Sequence, residues 1–294
     1  MKSDINLRVQ GKAGRITLQR PQALNAMTYE MCLAIEKTLI GWKRDPKIEL
    51  IIIDAQGERA FCSGGDISDL YEEGSKGNYA YGKKFWDDEY RLNALIAKYP
   101  KPYIAFMQGF TMGGGVGISC HGSHRIVCET SKIAMPECSI GLIPDVGGSL
   151  LLSRAPSNLG YFLGLTGTQM NASDAVYAGF ADIYIPKDNW SEIIDNLEKT
   201  GNESILQKHS KKTGRSQLYD NRKFLQDAFK STNLPKIVQF LSQSKNQLAH
   251  LALEKITKNC PIAMTYTLEM LSLLTPKSRI EDALDLEYRF TSRA

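Results

Sequence analysis

The sequence contains no long hydrophobic segment. Its uninterrupted apolar runs, such as residues 50–53 (LIII), are far shorter than the ~18 residues that a membrane-spanning helix needs. The first ten residues, MKSDINLRVQ, include no apolar stretch of the kind found in secretory signal peptides. None of the six cysteines forms a C-x-x-C pair with another. These absences favour a soluble protein of the reducing cytoplasm.

The sequence also lacks a strong charge of either sign. Its 36 Lys and Arg residues against 32 Asp and Glu residues leave a formal net charge of +4, which does not by itself predict DNA binding. With 43% hydrophobic and 23% charged residues, the composition is near that of average soluble proteins, which excludes a disordered or fibrous chain. At 294 residues the chain is long enough for one large domain or two.

Several familiar functional motifs are absent. Neither the G-x-S-x-G turn of serine hydrolases nor the full G-x-G-x-x-G dinucleotide fingerprint occurs. His121 and His124 lie near Cys120 and Cys128, but their compact spacing fits no known ligand pattern, so we expect a structural role and no metal. The basic residues 208–215 (KHSKKTGR) lack interleaved aromatic residues, which favours a solvated loop over a nucleic-acid-binding patch.

The patterns that are present predict an α/β fold. Alternating apolar and polar residues predict a hairpin over residues 6–19, and apolar residues at helical spacing predict a helix over 28–42. Residues 49–54 (ELIIID) and 102–108 (PYIAFMQ) are typical of strands buried on both faces, and a helical stretch, 85–99, lies between them. Strand, helix and strand in this order indicate a βαβ unit of an α/β domain.

Similar units continue only through the first two thirds of the chain. We predict short strands at 125–128, 132–135 and 182–185 and helices at 146–154 and 173–178. Helical patterns follow, without a convincing strand. The predicted organisation is therefore an α/β body over residues 1–187 and a helical region over 188–294, with the polar residues 199–216 as a linker or flexible loop.

Two glycine-rich turns each directly follow a predicted buried strand. They are residues 60–66 (AFCSGGD) and 111–117 (TMGGGVG). Glycines at such positions let backbone N–H groups approach a ligand, and the second turn opens a predicted helix, whose dipole is positive at that end. Together the turns can form a two-amide oxyanion hole. Either turn alone is equally well explained by tight turning and close helix packing.

A third segment, residues 134–148 (AMPECSIGLIPDVGG), places two carboxylates in apolar company. Glu137 and Asp145 are either solvated on a loop or held in a pocket, where the loss of hydration raises the pKa of a carboxyl group toward values useful for proton transfer. Their spacing of eight residues does not decide whether they lie together.

In sequence order, five motifs resemble those of the enoyl-CoA hydratase/isomerase (crotonase) superfamily. They are PQALNAM (21–27), FCSGGD (61–66), QGFTMGGGVG (108–117), MPECSIGLIPDVGG (135–148) and LGYFLGLTG (159–167). Within the superfamily they are most similar to the 3-hydroxyisobutyryl-CoA hydrolases. The resemblance covers most of residues 5–187 and implies a crotonase-like spiral of ββα turns with a helical C-terminal region.

Carried over residue by residue, the resemblance assigns the two oxyanion amides to Gly65 and Gly114. It places their neighbours Gly64, Asp66 and Gly113 in the substrate-binding loops. The ligand that it implies is an acyl-coenzyme A, with the thioester oxygen bound by the two amides.

The resemblance also assigns the carboxylates. Hydratases of this superfamily have a glutamate three residues after the middle glycine, where this chain has Gly117, and a second glutamate where this chain has Glu137. The missing glutamate disfavours hydration, whereas Asp145 is typical of the hydroxyacyl-CoA hydrolases. Glu89 matches a further acidic pocket residue of that group, although its spacing alone is more typical of an exposed helix carboxylate.

The implied activity is hydrolysis of 3-hydroxyisobutyryl-CoA, or of a similar short 3-hydroxyacyl-CoA, as in valine breakdown. Glu137 is the expected catalytic carboxylate, either as a nucleophile or as a general base on water. Asp145 and Glu89 are expected to bind the 3-hydroxyl group or to position water. The alternatives are an enoyl-CoA hydratase or isomerase, and a non-catalytic acyl-CoA or RNA-binding protein.

The resemblance implies no metal or redox cofactor, no membrane partner and no nucleic acid, and it suggests a homo-oligomer with trimer-type contacts. Members of the hydrolase subfamily generally continue with further helix beyond the equivalent of residues 287–294. The expectation is therefore either a shortened chain or a naturally short C-terminal tail.

Overall fold

The computed structural model describes residues 4–294, so the first three residues of the predicted region 1–187 lie outside it. The strands of the described chain are β1 (Ile5–Gln10), β2 (Ala13–Leu18), β3 (Leu50–Ala55), β4 (Ala60–Cys62), β5 (Tyr103–Met107), β6 (Phe110–Met112), β7 (His124–Val127), β8 (Lys132–Ala134) and β9 (Ile183–Tyr184).

Helices alternate with the later strands and then make up the rest of the described chain. They are α1 (Tyr29–Lys43), α2 (Ser68–Ser75), α3 (Tyr79–Ala97), α4 (Gly114–Gly117), α5 (Gly148–Arg154), α6 (Leu159–Thr166), α7 (Ala172–Ala178), α8 (Trp190–Thr200), α9 (Ser204–His209), α10 (Gln217–Asp220), α11 (Arg222–Ala228), α12 (Leu234–Ser242), α13 (Gln247–Lys258), α14 (Pro261–Leu273) and α15 (Ile280–Thr291). Short 3-10 turns cover Pro21–Ala23, Glu137–Ile140 and Lys187–Asn189.

The strands form two sheets that are built up turn by turn. The larger sheet has the order β1-β2-β3-β5-β7-β9 and the smaller has the order β4-β6-β8. Strands β1 and β2 form an antiparallel hairpin, whereas the later neighbours pair in parallel. The pairs β3/β4, β5/β6 and β7/β8 each place one strand in the larger sheet and the next in the smaller. Helices then return the chain, which gives a spiral of ββα units.

The larger sheet is buried on both faces, as the apolar run in β3 predicts. Ile51 and Ile53 face the main hydrophobic core, while Leu50 and Ile52 face a second core. Alternate residues of a strand point to opposite faces, so a strand covered on both sides must be apolar throughout. Trp190 in α8 helps to cover the second face, so helices beyond residue 187 complete the packing of this sheet.

The prediction of a linker over residues 199–216 is wrong in part. Helix α9 lies within it, and Leu206 is fully buried in the second core. The backbone N–H of Lys211 also donates to Tyr184 O at the edge of the larger sheet. A single apolar side chain on a short helix gives too weak a periodic signal to be read from a polar stretch.

The strands β4 and β6 were not predicted, because both lie in segments that were interpreted only as glycine-rich turns. Each has three residues, which is too short for a recognisable alternation. Their parallel pairing brings the ends of the two strands side by side. The glycine residues of the two turns, which come directly after β4 and β6, therefore meet at one edge of the smaller sheet.

Candidate active site

A cavity of about 230 Å³ lies where β4 and β6 end. Its walls come from the two glycine-rich turns, from helix α3 and from the segment between β8 and α5. Seven of the eight site residues predicted from the sequence line it: Gly64, Gly65, Glu89, Gly113, Gly114, Glu137 and Asp145. Apolar side chains, including Phe85, Trp86 and Leu142, form much of the remaining surface.

The two glycine-rich turns approach each other so closely that a side chain would not fit between them. A Cβ atom added to Gly114 would lie 3.1 Å from Gly65 N and 2.9 Å from Glu89 Oε1. A Cβ atom added to Gly113 would lie 2.9 Å from Glu137 Oε1, and Gly113 also has a φ of +49°, which favours glycine. Glycine at these positions thus brings backbone and carboxyl groups into one small space.

The backbone amides of Gly65 and Gly114 are available to a ligand. Residues on either side of Gly65 are fixed to Met27, whose N–H donates to Gly64 O at 2.9 Å and whose carbonyl oxygen accepts from Asp66 N–H at 2.8 Å. Within residues 4–294, neither the Gly65 N–H nor the Gly114 N–H donates to another group. Two neighbouring backbone donors without acceptors are what an oxyanion hole requires.

Glu137 opens the 3-10 turn Glu137–Ile140, directly after β8 and Pro136. Its side chain is buried, and its Oε2 atom has no hydrogen-bond partner among the described residues. Burial, and then the charge of Asp145, raises the pKa of Glu137 well above its usual value. A carboxylate held in this way is more basic than one in water.

Glu89 lies on the inner face of α3 rather than on an exposed surface, so the simpler interpretation of its spacing is wrong. It is 3% exposed, and its Oε1 atom also has no hydrogen-bond partner in the described chain. Burial, followed by the charges of Asp145 and Glu287, raises its pKa well above the usual value. An unpaired buried carboxyl oxygen is costly unless a proton or a ligand satisfies it.

Asp145 lies in the turn that precedes α5, and its side chain is buried. The Tyr90 hydroxyl donates to Asp145 Oδ2 at 2.8 Å. Burial raises the pKa of Asp145 to about 6, although the hydrogen bond from Tyr90 acts in the opposite direction. The structure therefore brings Glu89, Glu137 and Asp145 to one cavity. Their spacing in the sequence did not decide whether they lie together.

Sequence reasoning missed two buried residues beside this cavity, Tyr90 and Glu287. Glu287 comes from α15, near the end of the described chain, and is fully buried. Burial and the charge of Asp145 raise its pKa to about 8. One signal was present, because Glu287 follows Ile280 and Leu284 at the spacing of the buried face of α15.

Asp66 is the one predicted site residue that does not line the cavity. Its carboxylate forms an ion pair with Arg20 at 3.1 Å and accepts the Ser68 N–H at 3.2 Å. Hydrogen bonds from Ser68 and then from Arg20 lower its pKa, while burial acts against them. Asp66 thus shapes the first glycine-rich turn, and its contact with a substrate stays a prediction.

The position where hydratases of the superfamily carry their first glutamate has no room for one here. A Cβ atom added to Gly117 would lie 2.7 Å from Asn93 Nδ2 and 2.8 Å from Val146 Cβ. Asn93 is fully buried and has no side-chain hydrogen bond within residues 4–294. Asn93 and Val146 therefore fill the space beside Gly117.

No group of three or more His, Cys, Asp or Glu side chains in the described part of the chain is arranged to hold a metal ion. His121 is half-buried and lies beside the turn that carries Asp145, with Nε2 2.8 Å from Val146 O. Burial lowers its pKa to about 4, so the ring is neutral and Nε2 donates. No helix within residues 4–294 combines the length and the apolar character that a membrane crossing requires.

Nearly the whole chain is similar to known proteins of one family. Residues 13–294 match the family model described as Enoyl-CoA hydratase/isomerase. A relative from Gallus gallus, named 3-hydroxyisobutyryl-CoA hydrolase, mitochondrial, is 35% identical over 98% of this chain and 77% of its own length.

Two solved structures show the same fold. One, of an enoyl-CoA hydratase from Rhodobacter sphaeroides 2.4.1, is 47% identical, covers 99% of this chain and 85% of its own, and superposes with a TM-score of 0.95. The other, of a carnitinyl-CoA dehydratase from Mycobacterium thermoresistibile, is 38% identical, covers 98% and 84%, and has a TM-score of 0.94. The predicted fold class, a ββα spiral with a helical C-terminal region, is confirmed.

Proposed function

This chain belongs to the enoyl-CoA hydratase/isomerase family, and we propose that within it the protein is a thioesterase for 3-hydroxyisobutyryl-CoA or a similarly short 3-hydroxyacyl-CoA. One observation carries the proposal: the unpaired N–H groups of Gly65 and Gly114 lie beside the buried carboxyl groups of Glu137 and Glu89. A thioester carbonyl bound to the two amides would share the cavity with both carboxyl groups.

The two amides would stabilise the negative charge that develops on the carbonyl oxygen during attack. Donors that are already fixed in place need no rearrangement as the charge forms, and removal of one such donor typically costs about 2.7–4 kcal/mol. The closeness of Gly65 and Gly114 supports this role, because both N–H groups can then reach the same oxygen atom.

Glu137 would be the catalytic group in the cleavage of the thioester, and its position suits two mechanisms. As a nucleophile, its carboxylate attacks the carbonyl carbon, the C–S bond breaks, and the CoA thiolate takes up a proton. Water then hydrolyses the resulting anhydride to the hydroxy acid and free Glu137. As a general base, Glu137 takes a proton from water, the hydroxide adds to the same carbon, and the proton passes to the departing thiolate.

Asp145 and Glu89 would confer selectivity for the 3-hydroxyl group. Glu89 Oε1 is buried without a partner among the described residues, so a substrate hydroxyl that donates to it would satisfy that oxygen atom. A site built to bind a hydroxyl group discriminates strongly against analogues without one. The name of the Gallus gallus relative supports the same substrate, and valine breakdown is then the proposed context.

The second candidate is an enoyl-CoA hydratase or isomerase, favoured by the name of the solved relative that is 47% identical. Hydration across a double bond generally uses two acid–base groups on the reacting face. The packing of Asn93 and Val146 around Gly117 argues against a second carboxylate at that position.

A thiol-release assay separates these functions. We expect free thiol from 3-hydroxyisobutyryl-CoA, much slower release from isobutyryl-CoA, and a loss of activity of two or more orders of magnitude in Glu137→Gln. Loss of enoyl absorbance from crotonyl-CoA without thiol would instead identify a hydratase. Unchanged thiol release by Glu137→Gln would reject the catalytic role. The cytoplasmic location, the oligomeric state, the division at residue 187 and the lack of a cofactor stay predictions.

A further inference from the structure

The carboxylate of Glu287 binds the turn that carries Asp145, although 140 residues separate it from Gly147. The Gly147 N–H donates to Glu287 Oε2 at 2.8 Å, and the Ser149 N–H donates to Oε1 at 3.1 Å. The Ser149 hydroxyl also donates to Oε1. Both oxygens of a fully buried carboxylate are thus used, by three donors from one short segment.

These contacts replace a cap that the local sequence cannot supply. Helix α5 begins at Gly148, and its N-cap residue, Gly147, has no side chain that could accept the free N–H groups of the first turn. From outside the helix, Glu287 accepts the N–H of Ser149 in the first turn and that of the N-cap residue itself, Gly147. Its electron-rich oxygen atoms also lie at the end of α5 where the helix dipole is positive.

The turn that Glu287 binds has an unfavourable backbone conformation. Val146 has a φ of +54°, which is rare for a β-branched residue, and Gly147 follows with a φ of +76°. Such a conformation persists only where the surroundings hold it. His121 binds Val146 O and Glu287 binds the next N–H, so the two side chains hold the turn from opposite sides.

Helix α15 makes a second connection to Asp145. Thr291, one turn after Glu287, has its Oγ1 atom 3.2 Å from the Tyr90 hydroxyl, and Tyr90 donates to Asp145 Oδ2. Helix α15 is therefore connected to Asp145 in two ways. Glu287 holds the backbone of the turn that follows Asp145, and Thr291 contacts Tyr90, which binds the Asp145 side chain.

We propose that Glu287 is a positioning residue that sets the orientation of the Asp145 carboxyl group by holding the turn from Asp145 to Ser149. Its kinetic consequences rest on the proposed thioesterase function, but the contact itself does not. The competing interpretation is that Glu287 only anchors α15 to the body of the protein.

A double-mutant cycle separates the two interpretations. Glu287→Gln keeps the size of the side chain but places an NH2 group against N–H donors. We expect kcat for 3-hydroxyisobutyryl-CoA to fall about tenfold or more with little change in KM. In an Asp145→Asn background, the same substitution should change kcat by less than about threefold, because the group that it positions is already gone. Equal losses in the two backgrounds would overturn the proposal.

Amide hydrogen exchange tests the contact without any substrate. In Glu287→Gln we expect faster exchange at residues 145–149 and unchanged protection in α15, whereas simple loss of anchoring would expose α15 as well. Asp285→Asn, an exposed carboxylate on the same helix, is the matched control and should change neither exchange nor kcat. Unaltered exchange at 145–149, or a loss of protection shared with α15, would overturn the proposal.

A milder variant covers the case in which Glu287→Gln does not fold. Ser149→Ala removes one donor to Glu287 and should give a smaller fall in kcat and faster exchange at the same turn. Normal exchange at that turn in Ser149→Ala would count against the proposal. If the wild-type protein releases no thiol from any acyl-CoA, the proposed function fails, while the exchange measurements still decide the role of Glu287.

Discussion

The phenolic hydroxyl of Tyr90 donates a hydrogen bond to Asp145 Oδ2 across 2.8 Å, in a site where both side chains are buried. We expect Tyr90→Phe to raise the pKa of Asp145 above about 6, because this hydrogen bond stabilises the charged form. A hydrogen bond to a charged group contributes roughly 1.5–3 kcal/mol, so kcat should fall about tenfold or more if the bond also orients Asp145. Thiol release measured against pH checks both effects.

Tyr81→Phe is the matched control for this variant. Tyr81 lies on the same helix, α3, but its hydroxyl is 3.5 Å from Asp69 and does not line the cavity. The Tyr81→Phe variant should leave the pH profile of thiol release unchanged. A Tyr90→Phe protein with the profile of the wild type would show that the hydrogen bond does not control the state of Asp145.

A side chain at Gly114 should abolish most activity without unfolding the protein. In Gly114→Ala the new Cβ atom would lie 3.1 Å from Gly65 N and 2.9 Å from Glu89 Oε1, where the thioester oxygen is expected to bind. The loss of a well-placed oxyanion donor typically lowers kcat by about 100- to 1,000-fold. The measurement is kcat for thiol release, together with the circular dichroism spectrum.

Gly41→Ala provides the comparison, because Gly41 lies in α1 with open space around the position of a Cβ atom. Alanine is the better helix former by about 0.5–1 kcal/mol, so this variant should be at least as stable as the wild type and fully active. If Gly114→Ala were as active as Gly41→Ala, the two glycine-rich turns would not form an oxyanion hole.

How much the sequence reveals depends on how local each signal is. Strand β3 and helix α1 are each determined by the pattern of neighbouring residues, and both were predicted. The glycine-rich turns and the position of Glu137 are equally local. The contact between Glu287 and Gly147 depends on where α15 docks, and no spacing within the chain encodes that. Physical reasoning on local pattern therefore finds the glycine-rich turns and the Glu137 segment. Glu89 was assigned to the cavity only by the family resemblance, and neither route predicted the contact made by Glu287.

The raised pKa values of the acidic residues in the cavity should shift the pH dependence of thiol release to higher pH. Burial and then the charge of Asp145 raise the pKa of Glu137 well above the usual 4.5, and burial raises the pKa of Asp145 to about 6. In the proposed mechanism the carboxylate form of Glu137 is the active one, so kcat/KM should fall as the pH falls, with a midpoint well above 4.5 that belongs to the set of interacting carboxyl groups. A midpoint near 4.5 would show that the carboxyl groups are hydrated in solution.

The same burial makes Glu89 a source of instability at high pH. Because its folded-state pKa lies well above the usual 4.5, the folded protein keeps a proton that the unfolded chain releases. The stabilisation from this proton is complete below pH 4.5 and is lost as the pH rises through the folded-state value. Glu89→Gln has no proton to release, so its thermal midpoint should rise relative to that of the wild type between about pH 5 and about pH 8. Asp87→Asn, on the same helix with a side chain 63% exposed, should show no such trend. A constant difference between Glu89→Gln and the wild type across this range would mean that Glu89 is ionised at no cost in the folded protein.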